Sequence, residues 1–242
     1  MTEQDGGAVA LLDDVEADAG SIDDMVLELA HAHCIPRSKG MVNTIVLGVK
    51  SSMLPTIEST QRDLLVETGA RLFHERGYTA TGVRQVAAAA GVPLGSFTNH
   101  FRSKEQFALG ALEHYVARLD EIMDATLDDG SRPPARRIHA YFDAIERALG
   151  EHDWGVGCLI PDLATETPAH SEVLRHALAR VLERQTAAFA GVLRGLTKPD
   201  EADDLAAVLL AAWHGTLLRM KVERSGAPVA RFKRTLQRLL PA

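Results

Sequence analysis

The residues with the most obvious chemical potential lie between Gly82 and Lys104. Arg84, Arg102 and Lys104 are cationic, His100 adds a titratable ring, and no acid interrupts the run. Ser96, Thr98 and Asn99 add short hydroxyl and amide groups. Cations of this kind neutralise phosphates, and amide and hydroxyl side chains read base edges. The chain as a whole carries a net charge of −7, so this segment is a basic island in an acidic protein. Its chemistry is recognition of a polyanion.

Catalytic constellations are not apparent. The sequence has no glycine-rich phosphate loop, no H-E-x-x-H and no G-x-S-x-G. Asp162 and Glu166, four residues apart, read as a solvated pair on a helix face. His31, His33 and Cys34 are metal-ligand types, but no further ligands cluster beside them, so they read as surface residues and no cofactor is expected. Cys34 and Cys158 do not make a disulfide framework.

The elements that must position the basic island are three short helices. Thr81 is expected to cap the first of a pair. Val83, Val86, Ala87 and Ala90 then fall at i, i+3, i+4 and i+7 on one apolar face. The alanine run Ala87 to Ala90 permits close approach of another helix, Gly91 supplies a positive-φ turn, and Val92 plugs it. Pro93 suits the first position of the second helix, which Phe97 and Phe101 pin to the body. That leaves Gly95, Ser96, Thr98, Asn99 and His100 on the open side. Ser103 reads as the next N-cap, with Gln106 completing a capping box. Upstream, 57–77 reads as an amphipathic helix with rows Leu64, Thr68, Leu72 and Leu65, Gly69, Phe73, ending at Gly77 with Tyr78 as an anchor. This is a helix-turn-helix head, although the bare pattern also fits an ordinary helical hairpin.

The series helix, G-Y-x-x-T-x-V, A-x-x-A-G-V and G-S-F-x-N-H-F-x-S-K resembles the TetR family of bacterial repressors. Gly77, Tyr78, Thr81, Val83, Ala87, Ala90, Gly91, Val92, Gly95, Ser96, Phe97, Asn99, His100, Phe101, Ser103 and Lys104 carry the match. The resemblance implies that Thr81, Arg84, Leu94, Gly95, Ser96, Thr98 and Asn99 face bases or nearby phosphates and that His100 and Lys104 contact phosphates. Thr98 stands where the family commonly has Tyr, and Leu94 where it commonly has a polar residue.

After Lys104 the pattern continues as long helices, at 105–127, 135–149, 171–193, 202–222 and 229–240, with a short one opening near Cys158. The Gly157-Cys158-Leu159 run and the stretch from Trp213 to Ser225 resemble the family branch that includes the N-ethylmaleimide-reductase repressor and the acrylate-responsive regulator. Its members respond to small electrophiles or unsaturated acids. A thiol at a helix start gains thiolate character, so Cys158 is a candidate sensor; the plain reading is a packed apolar side chain. Tyr141, Phe142, Trp154, Cys158, His176 and Trp213 are the candidate effector-binding residues. Leu205, Leu209, Ala212, Trp213, Thr216 and Met220, with Phe232, Leu236, Leu239 and Leu240, are expected to pair two copies as a homodimer. That pairing would set two recognition helices roughly 34–36 Å apart on double-stranded operator DNA.

The expected class is therefore all-α: an acidic extension over 1–55, a three-helix head over 56–102 and a ligand-binding, dimerising body over 103–242. Residues 1–55 hold nine acids against three bases, a net of −6. They read as a disordered or loosely helical tail with a short amphipathic helix at 23–32; Met41 or Met53 is an alternative start. There is no secretory leader and no uninterrupted apolar run long enough to span a membrane, so the expected location is the bacterial cytoplasm, on the nucleoid. The expected function is a ligand-responsive repressor. The alternative is a dimeric helical adaptor with weakened DNA binding, motivated by Leu94 and Thr98.

Overall fold

Helix signals and hydrophobic spacing translate directly into elements. In the computed structural model the described residues are 60–150, 154–155 and 157–241, and among them every regular element is a helix. The chain divides into units 1–44 and 45–242, and the described residues all lie in the second. The acidic extension over 1–55, its short helix, the alternative starts, the His31, His33, Cys34 group and the first residues of the 57–77 helix lie outside the described residues.

The head comprises α1 (Gln61–Arg76), α2 (Val83–Ala89) and α3 (Leu94–His100). Thr60 caps α1: its hydroxyl accepts the Asp63 N–H, and the Asp63 carboxylate accepts the Thr60 N–H. The buried side of α1 is Leu65, Val66, Gly69, Leu72 and Phe73, whereas Leu64, placed in a buried row by spacing alone, is exposed. Two cap assignments shift. Gly82, not Thr81, caps α2, and the Gln85 side chain accepts the Gly82 N–H at 2.9 Å. Pro93 is the cap of α3 rather than its first residue. Gly91 turns between them at φ 67°.

The connector α4 (Lys104–Thr126) has 23 residues, a rod of about 34 Å at 1.5 Å per residue. Ser103 caps it by accepting the Gln106 N–H, but the Gln106 side chain accepts the N–H of Arg102, not that of Ser103. Phe107 of α4 ties the rod to the head. Its ring lies 5.0 Å from both Phe97 and Phe101 and 5.7 Å from Phe73, centroid to centroid. The ring also sits directly against Gly69, where a Cβ would come within 2.2 Å of Phe107 Cζ.

The body adds α5 (Pro134–Gly150), α6 (Leu159–Glu166), α7 (Glu172–Leu193), α8 (Pro199–Glu223) and α9 (Ala227–Leu239). A second aromatic cluster forms its centre. Phe142 lies 4.8 Å from Trp213, 4.9 Å from Phe232 and 5.6 Å from Phe189. Among the described residues α8 alone is long and apolar enough to cross a membrane, yet it buries Ala202, Ala206, Leu209, Leu210, Trp213, Leu217 and Met220 within the body.

The Gly69 contact generates a stability prediction. Gly69→Ala overpacks the joint between α1 and α4 and destabilises by about 1–3 kcal/mol. Gly191→Ala, on an exposed helical site with open space, stabilises by roughly 0.5–1 kcal/mol. Thermal unfolding of both variants gives melting shifts of opposite sign.

Candidate nucleic-acid interface and body cavity

Helices α2 and α3 bury Val86, Ala87 and Phe97 and turn their remaining faces outward. Arg84, Leu94, Gly95, Thr98, Asn99, His100 and Arg102 are exposed and Ser96 is half-buried. Thr98 donates its hydroxyl to the Gly95 carbonyl at 2.9 Å within the helix. Two expected DNA-facing residues are placed otherwise. Thr81 is only 1% exposed, and its hydroxyl donates to the carbonyls of Gly77 (2.7 Å) and Leu72 (3.3 Å). It closes the turn after α1 and presents nothing to a groove. Lys104 is half-buried, donates to the Thr79 carbonyl at 3.3 Å and stands 4.3 Å over the Tyr78 ring. Its charge remains beside the interface, but its ammonium is held by the same turn.

Behind that turn stands α6. Glu166 accepts the backbone N–H groups of Tyr78 (3.1 Å) and Thr79 (2.8 Å). Burial pushes its carboxyl up. Hydrogen bonds from Thr79 and Tyr78, and the nearby Lys104 charge, outweigh that and hold it below the ordinary value. Gly77, at φ 85°, lets the carboxylate approach, for a Cβ there would meet Glu166 Oε1 at 2.3 Å. One turn earlier, Asp162 accepts from Lys221 of α8 at 3.0 Å, and the same ammonium donates to the His74 carbonyl at 3.4 Å. Burial leaves Asp162 above its ordinary value despite Lys221. At the front of α6 the buried His74 ring donates to the Gly157 carbonyl at 2.8 Å. Asp162 and Glu166 are therefore not a solvated pair. They bind α6 to α8 and to the head.

On its other side α6 borders a cavity of about 30 Å³ enclosed by α4, α5, α7 and α8. Cys158, Tyr141 and Trp213, all expected there, line it. Three other candidates do not. Phe142 is committed to the aromatic cluster, and His176 lies on the outer face of α7 beside Arg175 and Glu172. Trp154 packs over Gly150 and Gly226. The sequence reading missed Tyr115, Arg118, Gln185 and His214, which also line the cavity. Spacing placed these on core helices but could not show that they converge.

Cys158 caps α6, yet the gain expected from a helix start does not prevail. Burial pushes the thiol up to about 11, against the lowering effect of hydrogen bonds from the Tyr115 hydroxyl (3.3 Å) and the Ile160 backbone. His214 is pushed below its ordinary value by burial, so it is neutral at pH 7. Burial likewise raises both tyrosines. The cavity disfavours charge on each of these four groups.

The outward side of α8 carries a further feature. Val208, Leu218 and Val222 are 66%, 62% and 76% exposed, and exposed Ala211 and Gly215 complete the row. The steps 208, 211, 215, 218, 222 alternate three and four, the spacing of a helix-pairing seam. Leu209, Trp213 and Met220 from the expected dimer stripe point inward and belong to the protomer core, as do Leu236 and Leu240. The unpartnered stripe lies one residue away.

Comparisons with known proteins agree with this arrangement. Residues 65–111 match the family described as bacterial regulatory proteins, tetR family, and residues 134–235 match the LmrA/YxaF-like transcriptional regulator C-terminal domain. The HTH-type transcriptional repressor DhaR of Mycobacterium sp. (strain GP1) is 40% identical over 188 residues, covering 75% of this chain and 93% of DhaR. The transcriptional regulator AcuR of Cereibacter sphaeroides is 33% identical, covering 72% and 82%. The crystal structure of the regulatory protein TetR from Rhodobacter sphaeroides superposes with a TM-score of 0.71 at 32% identity, covering 74% of this chain and 98% of that one.

The raised thiol gives a pH prediction. A thiol titrating near 11 instead of 9 stays protonated in the folded protein, so its stabilising contribution is present below pH 9 and is lost as pH rises through 11. Alkylation of native Cys158, followed by peptide mass mapping, should be slow at pH 7. Its rate should rise about tenfold per pH unit until close to pH 11. A rate that levels off near neutrality would contradict the burial argument.

Proposed function

Because the chain belongs to the TetR family of bacterial regulatory proteins, whose members are DNA-binding transcriptional regulators and not enzymes, we propose that it is a ligand-released repressor acting as a homodimer. The head, taken as 56–102, binds a near-palindromic operator; the body, taken as 103–242, takes up a small molecule and pairs the protomers. The observation that carries this reading is the exposed, acid-free face of α2 and α3. There Asn99 and Ser96 would read base edges, Leu94 would meet a thymine methyl group, and Arg84, His100 and Arg102 would contact phosphates.

The α6 bonds supply a route from cavity to head. A ligand resting against Gly157 and Cys158 bears on the carbonyl that holds His74, and the far end of the same short helix holds Tyr78 and Thr79. Release follows only if the ligand prefers the head orientation that fits DNA less well. With its thiol protonated at neutral pH, Cys158 serves this reading as a wall of the cavity, which favours reversible over covalent binding.

A gel shift with DNA from upstream of the protein's own gene tests the reading. Specific, salt-sensitive binding is expected, and Arg84→Ala should weaken it evenly across sequences while lowering the salt slope by about 1. Absence of specific binding in every ligand state would leave the adaptor alternative. Pairing through α8 has its own test. Leu218→Asp places charge in the exposed stripe, so sedimentation should show a folded monomer, with operator affinity reduced at least tenfold, about 1.4 kcal/mol. A dimer that survives this change uses a different surface.

A further inference from the structure

Two residues on the exposed side of α3 have no proton to offer a base. Leu94, the first residue of the helix, is 40% exposed. Thr98 is exposed too, but its hydroxyl hydrogen is already given to the Gly95 carbonyl at 2.9 Å, which leaves it a methyl group. The two stand at i and i+4 and so lie side by side along one row of the helix. Nothing crowds the ground beside them, for a Cβ added at Gly95 would meet no atom within 4 Å. The surroundings are cationic. Arg84, His100 and Arg102 are exposed, and no acid occurs from Gly82 to Lys104. A lone exposed leucine is ordinary. An apolar row on a face complementary to phosphates calls for an apolar group within a polyanion.

Of the groups that base pairs present in the major groove, the thymine C5-methyl is the apolar one. Four helical residues rise about 6 Å, and successive base pairs stand about 3.4 Å apart, so the row covers roughly two base-pair steps. We infer that the Leu94–Thr98 row reads thymine methyl groups: in each operator half-site it packs against two thymines no more than two steps apart. This deepens the operator reading, on which it rests, by adding Thr98 to the base-reading set through its methyl group instead of its hydroxyl. Cytosine has no methyl at that place. A purine puts N7 and O6 or N6 there, polar groups that Leu94 would strip of water without replacing the bond.

The test is fluorescence anisotropy of the full chain on the duplex it protects upstream of its own gene. Thymines are replaced one position at a time, in both half-sites, by deoxyuridine. Uracil keeps the pairing and the O4 acceptor and removes only the methyl group. Two thymines per half-site should respond, binding weakening about fourfold for each methyl group lost. Leu94→Ala should abolish the response at one of them. Thr98→Ser, which keeps the hydroxyl and removes the methyl group, should abolish it at the other. Thr98→Val, which keeps a methyl group and removes the hydroxyl, should retain both responses. A wild-type protein indifferent to uracil at every thymine overturns the inference, and that measurement needs no variant to fold. So does a response that persists at both thymines in Leu94→Ala or in Thr98→Ser, or a Thr98→Val protein that behaves as Thr98→Ser does. Absence of specific binding to any duplex removes the regulator reading together with this inference, whereas specific binding that ignores uracil removes this inference alone.

Discussion

The hold of Glu166 on the backbone amides of Tyr78 and Thr79 is the interaction through which the cavity side of the body reaches the head. It takes two donors in the turn after α1 and gives them to a helix that belongs to the body. Lys221 and His74 close the other end of the same joint. The head is thus fastened twice, through the Phe107 ring against Gly69 on the connector side and through α6 on the cavity side. The first contact is a close-packed aromatic joint with little room to shift. The second is made of hydrogen bonds and a half-buried ion pair, whose geometry can be exchanged for a different one at small net cost. Motion between head and body therefore has a stiff side and a compliant side.

The cavity illustrates how burial overrides local electrostatics. A cysteine at the first turn of a helix receives backbone donors that favour the thiolate, and those donors are present at Cys158. Enclosure by Tyr115, Tyr141 and Trp213 outweighs them. The same enclosure keeps His214 and both tyrosines uncharged. One physical cause, removal from water, sets the protonation of the whole wall.

Local signals were readable in the sequence where one residue decides one conformation. Gly91 and its positive φ, the Phe97–Phe101 pair and the Ser103 cap all follow from nearest neighbours, and the helices fall within a few residues of their expected bounds. Errors arose where the answer depends on residues far apart. Thr81 looked like a cap because of its type, but Gln85 serves Gly82 instead and leaves the Thr81 hydroxyl to the end of α1. The α8 stripe was misread because that helix is apolar nearly all round, so composition does not say which side meets its own protomer. His176 and Phe142 were grouped with Cys158 by type, and only the packing of α5 and α7 separates them. Gln185 carried no signal at all, since an isolated glutamine in a helix ordinarily faces water.

The exposed seam on α8 also bears on dosage. Its centre is Ala211 and Gly215, small residues that let two backbones approach but supply little apolar area of their own. In a dimer built on that seam, the fraction of assembled protein varies with protomer concentration by mass action. Operator occupancy would then rise more steeply than in proportion to the amount of chain in the cell. A modest change in synthesis rate, with no effector at all, would move the regulator between its bound and unbound regimes.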